Sequence, residues 1–423
     1  PAMTSSPAPR GGGDGGGASG PVGGQPGTVA VALGLALGPA VAIGFARFAY
    51  GLLLPAMRAD LGWSFATAGA MNTANAIGYL AGAIVAAPLA RRLGARRLFL
   101  AGIAVTSLAL LATAASGNLP LLIVLRLLAG ISGAAVFIAG AGLTAQLGVG
   151  ARPGRAALLL GIYFAGGGSG IVVSGLVVPP LLAAAGGGDG WRWGWVLLGA
   201  LAAVALAASI PAARRSGEPV VAPLGSGRWP ARRLGVLLIV YALFGAGSIA
   251  YITFIVAFLR AGGAGAGQIT VFWVVLGLAA VGAGFGWGPI LCRLRGGRGP
   301  AAVLAVVTAG ALLPLASDSA PVAYGSALLF GASFLAVVTA VTAVAHRALP
   351  PHQWTPAIVT LTIAFSLGQC LGPVVAGALS DTAGGVRAGL TLSVGILAAA
   401  TLFALTQPHR EPFSVDTARE TVH

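Results

Sequence analysis

Apolar residues fill most of the chain in long runs that short polar stretches separate. Each run holds about 17 to 30 residues, which is enough for a helix to cross the hydrocarbon core of a bilayer. The runs lie near residues 28–54, 66–90, 97–116, 119–143, 156–185, 191–210, 234–259, 268–291, 300–316, 320–345, 354–379 and 386–407. The pattern predicts an all-α integral membrane protein with twelve transmembrane helices.

Composition agrees with this prediction and excludes other classes of protein. Hydrophobic residues make up 57% of the chain and charged residues 8%, whereas a soluble domain carries about 25% charged residues. The net charge of +15 raises the question of nucleic acid. The basic residues, however, are spread over the ends of the apolar runs and form no continuous patch, so we expect a lipid bilayer and no nucleic acid as partner.

Two polar ends and one polar connection divide the chain. Residues 1–27 are rich in glycine, proline and serine and are predicted to form a disordered cytoplasmic tail. The longest internal polar connection, 211–233, separates six predicted helices in 28–210 from six in 234–407, and 408–423 forms a second cytoplasmic tail. A weak echo links the halves, since Ile162, Phe164 and Gly167 recur as Ile363, Phe365 and Gly368. We therefore expect two six-helix bundles joined by a cytoplasmic linker.

The arginines predict an orientation. All 24 basic residues are arginine, and 18 of them fall in loops or tails on the side of the N-terminal tail. Only Arg58, Arg192, Arg260 and Arg387 fall in loops on the other side. Positively charged loops stay in the cytoplasm, so both termini are predicted to be cytoplasmic.

Arg47 and Arg126 stand apart because each lies inside an apolar run. A charge at the centre of a membrane costs about 2.5–3.5 kcal/mol on insertion scales, so such a residue faces protein or a water-filled cavity. Arg47 precedes the predicted end of its helix at Leu54 by seven residues, and Arg126 follows the predicted start at Leu119 by seven. Both are therefore expected about 10 Å below the outer surface. The alternatives are that Arg47 snorkels outward and that Arg126 is structural, satisfied by helix-end carbonyls.

Polar side chains extend this pair into a candidate binding site. Asn72, Asn75 and Tyr79 follow the i, i+3, i+7 spacing of one helical face. The predicted substrate-binding residues are Arg47, Tyr50, Asn72, Asn75, Tyr79, Arg126, Tyr241, Ser248, Tyr251 and Gln369. Alternatively, each neutral residue in this set forms hydrogen bonds between helices and does not bind substrate.

Several motifs resemble those of the major facilitator superfamily (MFS) of secondary transporters, over nearly all of residues 28–407. Residues 87–97 (APLARRLGARR) resemble the signature loop after the family's second helix, but Ala87 replaces a glycine and Arg91 replaces the usual aspartate. Arg126 with Gly130 matches the family's Arg-x-x-x-Gly motif in helix 4. The run GFARFAYGLLLPAM, residues 44–57, is most similar to the bacterial YbfB/YjiJ-like branch.

The resemblance implies the MFS fold, a bacterial inner-membrane location and transport by alternating access. It also implies that helices 1, 4, 7 and 10 line the central cavity, so that Arg47 and Arg126 can face it. Gating roles are implied for Arg92, Gly94, Arg96, Arg97, Gly372 and Pro373. The alternatives are that the arginines only anchor the topology and that Gly372-Pro373 is only a helix kink.

The acidic residues decide between classes of cargo. None of the nine lies in the middle of a predicted helix, so the counter-charge of the two arginines could be the substrate itself. We predict a transporter of a small organic anion, such as a carboxylate, that acts as a monomer. The alternatives are multidrug or sugar efflux and, from another class, a receptor or scaffold that transports nothing. No set of residues indicates an enzyme, a cofactor or a metal site, and a coupling ion is left open.

Overall fold

The computed structural model describes residues 26–150, 153–219 and 231–408. Within these ranges it contains twelve helices long and apolar enough to cross a membrane. We number them α1 to α12 in chain order: Gly27–Leu61, Phe65–Leu93, Ala95–Ala114, Leu119–Leu147, Gly154–Ala184, Gly190–Arg215, Ala231–Ala261, Ala266–Ala283, Arg298–Ala316, Ala320–Ala348, His352–Ser380 and Gly385–Leu405. A short helix, Gly288–Arg293, follows α8. The predicted fold class is confirmed.

The helices pack as two bundles, α1–α6 and α7–α12. In the first bundle α4 packs against α2 and α3, and α6 packs against α3. The second bundle repeats this arrangement, with α10 against α8 and α9, and α12 against α9. The bundles are joined mainly by α2 with α11 and α5 with α8, and less extensively by α1 and α2 with α7. Of the predicted linker 211–233, residues 220–230 lie outside the described part of the chain, as do the predicted tails up to residue 25 and from residue 409.

Helix α1 is longer than the sequence predicted. It continues through Pro55 and ends at Leu61, where Gly62 adopts a left-handed φ of 64°. The predicted end at Leu54 is therefore wrong. Pro55 does not end the helix, because Leu54 before it and Met57 after it are packed in the protein interior. Arg47 lies 14 residues before the end of α1, which is about 21 Å along the helix and not 10 Å.

The bundles meet most closely at one end, which we call the closed end. It is the end that holds the α1–α2 and α11–α12 loops. A Cβ added to Gly69 of α2 would lie 2.2 Å from the carbonyl oxygen of Pro373, and one added to Gly377 of α11 would lie 2.4 Å from that of Phe65. Glycine at these two positions lets the two backbones touch, as small residues do between membrane helices.

Hydrogen bonds reinforce the same crossing. The carboxylate of Asp381, just after α11, accepts from the backbone N–H groups of Phe65 and Ala66 at 2.7 and 2.9 Å. The Thr73 hydroxyl donates to the Cys370 carbonyl at 2.6 Å. Since α2 and α11 run antiparallel, these pairs fix their register, with residue numbers that rise on α2 as they fall on α11. A carboxylate at a helix N-terminus satisfies free amides and opposes the positive end of the helix dipole.

Candidate functional site

Arg47 lies at the junction of the two bundles. Its side chain is 6% exposed, and its Nη2 donates to the side-chain oxygen of Gln369 on α11. The guanidinium carbon also lies 5.1 Å from the centre of the Tyr79 ring on α2. A guanidinium over an aromatic face is stabilised by the negative electrostatic potential of the ring. Arg47 therefore contacts both bundles through neutral groups.

Arg126 is buried more completely, inside the first bundle. It is 1% exposed, its Nη1 donates to the Ala46 carbonyl, and its Nε lies 3.4 Å from the Met71 carbonyl oxygen. Its guanidinium also lies 4.8 Å from the centre of the Tyr50 ring. Its Nη2 has no hydrogen-bond partner. Because Ala46 directly precedes Arg47 in α1, this bond places Arg126 next to Arg47. Arg126 lies seven residues from the start of α4, whereas Arg47 lies 14 residues from the end of α1.

The backbone of α1 is π-helical where it carries Arg47. The segment Ala40–Phe48 has this form, and the N–H of Ala49 bonds to the carbonyl of Gly44, five residues back. Gly44 itself packs against α5, since a Cβ there would lie 2.4 Å from the Gly170 backbone. A π-helical turn changes the hydrogen-bonding register of a helix and often occurs at functional sites. Here it coincides with the carbonyl of Ala46, which accepts from Arg126.

Three predicted residues of the first bundle surround the two arginines. The amide of Asn75 donates to the Arg126 carbonyl at 3.2 Å. The hydroxyl of Tyr50 donates to the Ala68 carbonyl at 2.7 Å, which places its ring under Arg126. With Tyr79 against Arg47, the structure brings these three residues together with both arginines.

Asn72 forms a further polar contact between the bundles. It is 4% exposed, and its amide nitrogen donates to the hydroxyl of Thr253 on α7 at 2.6 Å. Its side-chain oxygen has no hydrogen-bond partner. Sequence reasoning missed Thr253, which lies in an apolar run 181 residues away from Asn72 and carries no local signal.

The remaining predicted residues of α7 are placed differently. The Ser248 hydroxyl donates to the Phe244 carbonyl of its own helix, and the Tyr251 hydroxyl bonds to Ser326 on α10. The structure therefore does not bring Ser248 or Tyr251 to the arginines. Tyr241 stacks on Phe365 with ring centres 4.7 Å apart. It belongs to an aromatic cluster of the second bundle.

Neither arginine has a carboxylate within salt-bridge distance among the described residues. Two acidic side chains form hydrogen bonds at helix ends instead: Asp60 accepts from the Trp191 indole at 2.8 Å, and Asp381 caps α2. The partners of the two guanidinium groups are an amide oxygen, backbone carbonyls and aromatic rings. Within the part of the chain that the structure describes, two positive charges are thus held in the protein interior without a counter-ion.

The loop after α2 is held within the first bundle. Glu218, beyond α6, accepts from the backbone N–H groups of Ala95 and Arg96 at 2.7 and 3.2 Å. The Arg96 Nη2 also donates to the Ser216 carbonyl at 3.0 Å. Gly94 makes the turn with a φ of 84°.

Three further arginines of this loop, Arg91, Arg92 and Arg97, are exposed. The N-terminus of α3 therefore has a carboxylate partner although Arg91 stands where the signature motif has aspartate.

Gly372 and Pro373 lie where three helices cross. A Cβ on Gly372 would lie 2.2 Å from the Ala246 carbonyl oxygen of α7, and the carbonyl of Pro373 faces Gly69 of α2. Pro373 is part of the contact between the bundles at the closed end, whereas Gly372 packs inside the second bundle. Their predicted role in gating stays a prediction.

Similarity to known proteins identifies the kind of molecule that carries this site. The family model described as "Uncharacterised MFS-type transporter YbfB" matches residues 39–405. The chain belongs to this family. It is therefore a multi-pass membrane transporter of a small-molecule substrate and not an enzyme, as the sequence predicted.

Individual proteins are similar to this chain at low sequence identity. A chloramphenicol resistance protein from Streptomyces lividans is 29% identical over 379 residues, which are 85% of this chain and 92% of that protein. The solved structure of a bacterial homolog of the human lysosomal transporter Spinster superposes with a TM-score of 0.69 at 17% identity, covering 90% of this chain and 97% of that one. The nucleoside transporter NupG gives 0.66 at 14% identity and covers 88% and 97%. Both structures share the fold.

Proposed function

We propose that this MFS transporter moves a small organic anion, of the carboxylate class, by alternating access. The observation that carries the proposal is the pair of buried guanidinium groups, Arg47 and Arg126, that have no carboxylate partner among the described residues. A buried charge costs several kcal/mol unless an opposite charge or strong hydrogen bonds compensate for it. A substrate anion would supply that compensation during transport.

Arg47 is the proposed anchor for the anion. Its guanidinium donates to Gln369 of the second bundle, a neutral side chain whose oxygen an anionic oxygen can replace. A guanidinium presents parallel N–H donors that match the two oxygens of a carboxylate, and such charge-assisted hydrogen bonds are about twice as strong as neutral ones. Arg126 bonds to backbone carbonyls of α1 and α2, so its proposed part is to hold those helices and to add positive potential.

The same site explains why binding would be linked to movement of the bundles. Arg47 belongs to the first bundle and Gln369 to the second, so an anion that takes the place of Gln369 changes a contact between them. A ligand shifts a conformational equilibrium only through contacts that differ between its two states. We propose that the contacts of the closed end, including that of Pro373, separate in the other state, and that Gly372 takes part in this movement where α11 packs on α7. Arg92, Gly94, Arg96 and Arg97 are proposed to meet the second bundle in that state.

The wider setting of the transporter follows from its sequence. The distribution of 18 arginines on one side against four on the other supports both termini in the cytoplasm of a bacterial inner membrane. We propose a monomer, since each bundle completes the site with the other. The boundaries of the bundles, 28–210 and 234–407, and of the linker and tails stay as proposed from the sequence.

Efflux of a neutral drug is the second candidate function. It is favoured by the chloramphenicol resistance protein that is 29% identical over 85% of this chain. In that case Arg126 would be structural and the aromatic residues around Arg47 would select the cargo.

A transport panel separates the two candidates. Cells that express the protein would be compared with cells that express Arg47→Gln, for uptake or export of labelled carboxylates and for survival in chloramphenicol. The anion proposal predicts that one or more carboxylates are moved and that this movement is lost in Arg47→Gln. Protection against chloramphenicol that persists in Arg47→Gln, with no carboxylate moved, would replace the proposal by drug efflux.

A further inference from the structure

Two aromatic clusters, one in each bundle, flank Arg47. In the first bundle the ring of Tyr79 on α2 lies 6.5 Å from that of Phe137, which in turn lies 5.4 Å from Phe164. In the second bundle Phe365 on α11 stacks on Tyr241 at 4.7 Å and on Phe244 at 5.6 Å. Each cluster is held by its own bundle and moves with it.

The register of α2 and α11 places the two clusters at the same level. Phe65 lies against Gly377, Gly69 against Pro373, and Thr73 pairs with Cys370. Continued along the two antiparallel helices, this register sets Tyr79 level with Phe365.

Arg47 ties this aromatic level to the proposed anion site. Its guanidinium contacts the Tyr79 ring and bonds to Gln369, which lies one helical turn from Phe365. The rings of Tyr79 and Phe365 are only partly buried, whereas Tyr241 and Phe244 behind Phe365 are 5% and 1% exposed. The front ring of each cluster is therefore accessible, and the second cluster supports its front ring from behind.

We infer that the anion is an aromatic carboxylate, whose acid group binds Arg47 while its ring packs between Tyr79 and Phe365. This inference rests on the proposed function. Aromatic rings attract one another in offset-stacked or edge-to-face geometry beyond the effect of the apolar area that they bury. Phe365 and Tyr79 determine the preference for an aryl group, and Arg47 determines the preference for a charge.

The experiment measures binding to the purified full-length protein with three matched probes. Benzoate carries both the ring and the charge, cyclohexanecarboxylate has the charge and similar size without a π face, and benzamide has the ring without the charge. Isothermal titration should give benzoate an affinity about three- to ten-fold higher than that of cyclohexanecarboxylate. Benzamide should bind at least about ten-fold more weakly than benzoate.

Variants assign the preference to residues. Phe365→Leu should bring benzoate to the affinity of cyclohexanecarboxylate while both still bind better than benzamide. The control is Phe403→Leu, the same change at a residue of α12 that is 47% exposed, which should leave the ratio unchanged. Tyr79→Leu serves as the second variant if Phe365→Leu is not monodisperse after purification.

The outcomes distinguish this inference from the function on which it rests. Equal binding of benzoate and cyclohexanecarboxylate to the parent protein would overturn the aromatic inference and leave the anion proposal standing. Equal binding of benzoate and benzamide would overturn the anion proposal and, with it, the role given to Arg47 here. A benzoate preference that survives in both Phe365→Leu and Tyr79→Leu would overturn the assignment to these rings.

Discussion

Gln369 of the second bundle accepts a hydrogen bond from the guanidinium of Arg47 in the first. The partner of this buried charge is thus a neutral amide, although a glutamate would fit the same position with one atom changed. An internal carboxylate there would neutralise Arg47 and join the bundles by an ion pair. Its absence leaves the positive charge available to a ligand.

Gln369→Glu is therefore expected to inhibit the transporter by supplying its own anion. The new carboxylate should compete with the substrate for Arg47 and raise the half-saturation concentration for carboxylate uptake by about ten-fold or more. The control is Gln353→Glu, which adds the same charge in the first turn of α11. Normal carboxylate uptake by correctly inserted Gln369→Glu would show that Arg47 need not be free for the substrate.

Asp381→Asn is expected to weaken the closed end. The asparagine keeps one acceptor for the N-terminus of α2 but loses the charge that opposes the helix dipole, and loss of a cap changes stability by about 0.5–2 kcal/mol. The ratio of closed to open molecules should fall by about two- to thirty-fold. Spin labels at Ala59 and Ala383, which are exposed at this end of different bundles, would report the change as a longer distance.

Asp318→Asn provides the matched control for this experiment. Asp318 lies in the loop before α10, with an oxygen near Gly262 of the same bundle. Its substitution should leave the distance distribution unchanged. Equal effects of both variants would mean that surface charge, and not the cap on α2, sets the distance.

Gly69→Ala is expected to prevent close contact between α2 and α11. The added methyl group would lie 2.2 Å from the Pro373 carbonyl oxygen, and overpacking of this kind costs about 1–3 kcal/mol. Transport should fall strongly, with the same pair of spin labels at a longer distance. Gly267→Ala is the control because a Cβ there meets nothing within 4 Å. Full transport by Gly69→Ala would show that this contact does not need to close.

The proposed orientation can be tested on the two ends of one helix. With Cys292 replaced by serine and Cys370 by alanine, single cysteines would be placed at Ala383, before α12, and at Thr406, after it; both positions are exposed. An impermeant thiol reagent applied to intact cells should label the cysteine at 383 and not the one at 406. The reverse pattern would place the termini outside.

Much of the fold could be predicted from the sequence, because apolar runs and helical spacing are local patterns. Twelve long apolar runs gave twelve helices, and Arg47, one of the two arginines inside such runs, marked a place where the bundles meet. The stripe of Asn72, Asn75 and Tyr79 was recognised from helical spacing alone. Asn75 and Tyr79 contact the arginines, and Asn72 bonds to Thr253 of the second bundle.

What could not be predicted depends on tertiary packing. The π-helical turn of α1 and its continuation past Pro55 leave no pattern in the apolar residues. The partner of Asn72 is Thr253, and no local signal distinguishes it from Tyr251, which the structure turns toward Ser326. The rotation of each helix about its axis determines which side chains point across a bundle interface. The spacing of residues along the sequence does not determine that rotation.

Arg47 is proposed to bind the acid group of the substrate. The most direct test of this proposal is carboxylate binding to purified Arg47→Lys and Arg47→Gln, measured with the best carboxylate from the transport panel. Loss of the planar fork should weaken binding about ten-fold in Arg47→Lys, and loss of the charge should weaken it on the order of a hundred-fold in Arg47→Gln. Both proteins should remain monodisperse. Unchanged affinity in a folded Arg47→Gln, or a preference for a cation, would contradict the account.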